Sequence, residues 1–116
     1  MKDKTFHGAF VFRDQGHGIL SSTYFNTVTP KPYPETAIRK TDVTDNDPFL
    51  GTFDTTWLEA NLNFYENLKI SKGYNGNMDA YHLEWANKKT GGPEWEGLGN
   101  LENGLLIGCY WRASNK

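Results

Sequence analysis

At 116 residues with a net charge of −2, the chain is sized for one domain over 1–116, because two would each fall near the length at which a core barely forms. Seven Phe, six Tyr and four Trp make it 15% aromatic, which excludes disorder over most of its length; only 37% is apolar, so the core is expected to be thin and ring-rich. The mild acidity argues against a nucleic-acid module, the single cysteine excludes a disulfide framework and multi-Cys zinc patterns, and no apolar run approaches the ~20 residues of a membrane helix.

Taken in chain order, the first run places Phe6, Gly8, Phe10 and Phe12 on one face and His7, Ala9, Val11 and Arg13 on the other. It is too short and too interrupted for a secretory signal, so a cytoplasmic location is expected. A turn signal at residues 14–18 follows. Residues 27–48, with Pro30, Pro32 and Pro34 close together, read as an irregular loop or edge region, with an edge strand over Thr36 to Val43. Phe53, Thr55 and Trp57 then alternate with polar neighbours. Residues 56–65 admit two readings, a short helix striped by Trp57, Leu58, Leu62 and Tyr65, or the end of one strand and the start of the next. Leu68 and Ile70 share a face, as do Tyr81, Leu83 and Trp85. Asn75-Gly76 marks a longer loop, and Asn103-Gly104 is the sharpest hairpin signal, since both residues tolerate the positive φ of a type I′ turn. Residues 105–111 are apolar on both faces, so that strand should be central or covered.

The expected fold is therefore all-β, a single antiparallel meander of about seven or eight strands closed into a barrel, with a β-sandwich as the alternative. Closure is favoured by Gly97, Gly99 and Gly108, which sit inside strand runs where a sheet must bend or a ring from another strand needs room; Trp85, Trp95 and Trp111 are available to supply one.

Gly8-Ala9-Phe10 and Gly51-Thr52-Phe53 look like degenerate Gly-x-aromatic strand starts, and Arg112 follows Trp111 in the final strand. With the rhythm of residues 81–85, 95–99 and 105–111, these resemble small bacterial lipocalin-like and avidin-like barrels of the calycin type. In that pattern the aromatic residue is Trp, and a late Arg packs across it. The resemblance implies a closed barrel with Arg112 as a lid over a ring. The chain lacks a recognisable biotin-binding constellation.

An eight-stranded lumen is either filled by side chains or holds one small ligand. Phe53, Trp57, Tyr81, Trp85 and Trp111 are the candidates to line it, and both possibilities stand at this point. Arg13 and Arg39 read as surface residues; Arg39 is also a candidate, beside Arg112 and Tyr65, for the polar groups of a mouth. His7, His17 and His82 lack paired metal spacing, and His82 is expected on the solvent side, so no metal or cofactor is expected. Glu84, Glu94 and Glu96 are possible acid–base members, with Glu84 and Glu96 as cross-strand neighbours, but read more simply as a charged outer face. Cys109 reads as a core thiol.

Three functions fit. The first is non-enzymatic binding of a small, partly hydrophobic or aromatic ligand in the barrel. The second is a small barrel enzyme (an isomerase, cyclase or hydrolase) using a pocket carboxylate or His, which requires such a group facing inward with a shifted pKa. The third is an interaction module with a packed lumen, signalled by Tyr110 or Trp111 on an exposed outer face. A homodimer through residues 105–111 would cover that two-faced strand; no nucleic acid or membrane partner is expected.

Overall fold

A computed structural model describes residues 7–28, 31–40, 47–59 and 61–113. Eight strands run β1 (Gly8–Asp14), β2 (Ile19–Asn26), β3 (Tyr33–Arg39), β4 (Gly51–Glu59), β5 (Leu62–Tyr74), β6 (Asn77–Asn87), β7 (Pro93–Glu102) and β8 (Leu105–Arg112). Each pairs antiparallel with the next, and β1 pairs with β8, so the sheet is a closed meander barrel rather than a sandwich. That is the architecture the calycin resemblance implies. Closure leaves no strand edge unpaired along the ring. Among the described residues no helix is long and apolar enough to cross a membrane.

Local chemistry accounts for the turns. Asn103 and Gly104 take φ of 53° and 81° between Glu102 and Leu105, the left-handed pair that the two-residue hairpin requires. Asn75 and Gly76 do the same between Tyr74 and Asn77, a tighter connection than the expected longer loop. The helical reading of residues 56–65 is replaced by the β4–β5 hairpin, where Trp57 pairs with Phe64 and Glu59 with Leu62. Asn61, at φ 67°, makes the reversal there, which a continuous helix could not contain.

Two further expectations are corrected. The strand within residues 27–48 begins at Tyr33 and lies between β2 and β4, inside the ring and not at an edge. Val43, its expected end, falls outside the described residues. Cys109 is exposed on the outer face, because the inward positions of β8 belong to Leu106, Gly108 and Tyr110.

The strand glycines make room for a ring, and that ring is chiefly Phe10 of β1. A Cβ on Gly108 would stand 2.7 Å from the Phe10 ring and 2.0 Å from the Leu98 carbonyl oxygen. Gly97 admits both Phe10 and Trp85, at 3.1 and 3.3 Å. Trp95 and Trp111 play no such part.

The lumen divides into two halves. In the lower half Phe12, Leu20, Phe53, Leu68, Leu83 and Leu106 are fully buried, and Phe49 from the β3–β4 connection closes the base. Burying such side chains stabilises by about 1.5–3 kcal/mol each. The inward positions of the upper half carry larger and more polar groups: Tyr24, Glu35, Trp57, Glu59, Trp85, Tyr110 and Arg112.

Candidate functional site

The upper half encloses a cavity of about 440 Å³, open at the end where β2 meets β3, β4 meets β5 and β6 meets β7. Period-two alternation puts its lining there, since residues that share the core face lower down emerge into it as each strand climbs. Phe10, Glu35 and Trp85 lie deepest. Trp57 and Phe64 stack on one wall with centroids 5.5 Å apart and planes 16° from parallel. On the other wall His7 lies against Trp95 at 4.9 Å, and Trp95 meets Tyr110 edge-on at 5.7 Å.

Of the residues proposed from sequence, Trp57, Trp85 and Arg112 come together at this cavity. Arg112 lies over a ring as the resemblance implies, 5.0 Å from the centroid, but the ring is that of Trp95 on β7 and not of Phe10. The others lie elsewhere. Phe53 and Tyr81 are buried in the lower half, where the Tyr81 hydroxyl donates to Asp47. Arg39 is at the base, its Nη2 donating to the Pro48 and Leu50 carbonyls at 2.8 and 3.2 Å while the guanidinium lies over Phe53. Tyr65 is 62% exposed, on the outer side of β5. Trp111 is buried outside the lumen, with its Nε1 donating to Glu96 Oε1 at 3.2 Å. His82 also points outward, as expected, 2.7 Å from Glu96 and stacked on Tyr74. Glu84 and Glu96 are cross-strand neighbours on that same surface.

The polar chemistry of the cavity was not legible as such. Glu35 is 4% exposed, and its Oε2 accepts from Thr55 Oγ1 at 2.5 Å and from Trp85 Nε1 at 2.8 Å. Burial pushes its carboxyl up to about 7 against the downward pull of those two donors. Glu66 is also buried, and is raised to about 8 by desolvation first and by its contact with Glu94 second. Glu94 moves down, chiefly through its side-chain contact with Glu66 and further through Asn87, whose Nδ2 donates to it at 3.3 Å. The Tyr24 hydroxyl donates to Glu59 Oε1 at 2.8 Å, and burial together with that carboxylate raises the phenol. Tyr110, raised to about 12 mainly by burial, accepts from Asn26 Nδ2 at 3.1 Å. Among the described residues no three His, Cys, Asp or Glu side chains converge to hold a metal ion.

Extending the observed alternation would have located two of these acids. Glu66 shares a face with Leu68 and Ile70, and Glu35 shares one with Ala37; both are inward positions occupied by a carboxylate. Comparisons with protein-family models, curated proteins and solved structures return no match, so the site rests on its own geometry.

Proposed function

We propose that the protein binds a small, partly hydrophobic ligand in the upper half of the barrel, as a non-enzymatic carrier or receptor of the lipocalin-like kind. The observation that carries this reading is the division of the lumen: the lower half is filled to the base, while the upper half keeps about 440 Å³ open among Trp57, Trp85 and Trp95. That volume lies within the roughly 300–1,000 Å³ of small-molecule pockets, and an aromatic lining with a few convergent polar groups is their usual composition. Val28 and Leu62, 73% and 60% exposed at the lip, give an apolar ligand a surface to enter across.

The test is a titration with N-phenyl-1-naphthylamine, a neutral probe that fluoresces in apolar surroundings. Saturable one-to-one binding with a Kd on the order of micromolar supports the reading. No saturable signal in the native protein, or a signal unchanged by Trp57→Ala, contradicts it.

A second reading has an observation of its own. Glu35 is an inward carboxyl held near neutrality, the condition under which one group serves as both general acid and base. It requires Glu35-dependent proton abstraction from a bound ketone. Exchange of α-protons of phenylacetone in D₂O, faster with the protein than without it and lost in Glu35→Gln, would support it; no acceleration would remove it.

A further inference from the structure

The acids of the cavity are poorly matched by cations. Glu35, Glu59 and Glu94 line it and Glu66 adjoins Glu94, whereas the one guanidinium there, that of Arg112, lies over the Trp95 ring. Among the described residues, no ion pair within 4.0 Å joins Arg112 to any of these acids. Both hydrogen bonds to Glu35 land on Oε2, which leaves Oε1 without a donor on a side chain that is almost wholly buried and faces the cavity. An acceptor that opens to the cavity without a protein donor is free to take an N–H from a ligand, and a charge-assisted bond of that kind is a strong one.

The walls point to the same ligand chemistry. Rings attract cations through their negative faces, and the attraction grows when both partners are dry. A ligand carboxylate or phosphate would instead meet three lining acids at close range, with one rim guanidinium to offset them. Since no three acids among the described residues converge on one point, they offer a compact metal ion no coordination shell, while a larger cation can span them.

We propose that the cavity takes an organic cation, an aryl- or alkylammonium whose N–H groups donate to Glu35 and whose apolar part lies between Trp57, Trp85 and Trp95. This rests on reading the cavity as a ligand site and names the class of ligand. Binding is coupled to proton release. The titratable groups facing Glu35 are Tyr24 from β2, Tyr33 from β3, Glu59 from β4, Glu66 from β5, Glu94 from β7, Tyr110 and Arg112 from β8, and His7 ahead of β1; β6 contributes only the Trp85 indole. A bound ammonium ionises Glu35 and Glu66, which are held near 7 and 8, so affinity rises with pH through that window. An alkylammonium stays charged throughout, with an ordinary pKa of about 10.

The experiment uses three probes of matched shape, 4-phenylbutylamine, 4-phenylbutanol and 4-phenylbutanoate, titrated calorimetrically at pH 5.5 and pH 8. The amine is expected to bind roughly tenfold tighter than the alcohol at pH 8, the carboxylate most weakly, and the advantage of the amine to shrink at pH 5.5. Glu35→Gln keeps an acceptor for Thr55 and Trp85, and is expected to lower amine affinity about tenfold and alcohol affinity by a much smaller factor. The native-protein charge and pH series stands alone if that variant misfolds. Alcohol or carboxylate binding as tight as the amine at pH 8 overturns the cation assignment while keeping the cavity as a ligand site. Failure of all three probes, together with failure of N-phenyl-1-naphthylamine, overturns the underlying reading as well.

Discussion

Glu35 and Trp85, fifty residues apart in sequence, meet at the floor of the cavity, where the indole Nε1 donates to carboxylate Oε2 at 2.8 Å. One strand supplies an acid and another the donor that orients it, so the packed lower half and the open upper half share a boundary made of these two side chains. The boundary has a thermodynamic consequence. Because burial holds Glu35 above the ordinary carboxylate value, the folded chain binds more protons than the unfolded one. Stability is therefore fullest below the unfolded carboxyl range and is lost as pH rises to about 7, with Glu66 extending the loss toward 8. Urea denaturation at pH 5 and pH 8 should show native stability falling across that interval. Glu35→Gln should flatten part of the slope and raise stability at pH 8 by on the order of 2 kcal/mol. An unchanged slope would contradict the buried position of this acid.

Gly108 tests the closure of the barrel. Gly108→Ala places a methyl group against the Leu98 carbonyl and the Phe10 ring, and either β7 or β1 must move. A loss of about 1–3 kcal/mol is expected from overpacking, seen as a lower midpoint in thermal melts. Stability equal to the native protein would mean that β8 does not pass this close to its neighbours.

Arg39 separates base from mouth. Its guanidinium ties the β3 end to the Pro48 and Leu50 carbonyls and covers Phe53, at the end opposite the cavity. Arg39→Ala should cost about 1–3 kcal/mol of stability while leaving probe affinity unchanged. A loss of affinity without loss of stability would return Arg39 to the mouth.

The sequence disclosed the barrel more readily than the site, and the reason is physical. Leu68 and Ile70, or Tyr81 and Leu83, alternate with polar neighbours because the lower lumen is apolar and the outside is wet, and that contrast is what period two records. In the upper half the inward positions are themselves polar, so Glu35 and Glu66 break the contrast and resemble surface residues. Glu35 is further masked by three nearby prolines, which give its strand the look of a loop. Trp111 misleads in the opposite sense. A large ring in an apolar run suggests lumen, but its odd position in β8 turns it outward onto Glu96. Parity counted from Tyr110 would have separated the two rings.

Trp57 tests the wall. It stacks on Phe64 near the opening and is only half-buried, so Trp57→Ala should cost little stability, about 1 kcal/mol, and weaken binding of an apolar probe by roughly tenfold. Equal binding by the variant would remove this wall from the site.

The four indole N–H groups offer the most direct measurement. Nitrogen–proton correlation spectra of the labelled protein, recorded during titration with 4-phenylbutylamine, report Trp57, Trp85, Trp95 and Trp111 separately. Progressive shifts of the Trp57, Trp85 and Trp95 signals, with Trp111 stationary on the outer face, are the result expected for a ligand in the upper barrel. Movement confined to Trp111, or no movement at saturating probe, would contradict it.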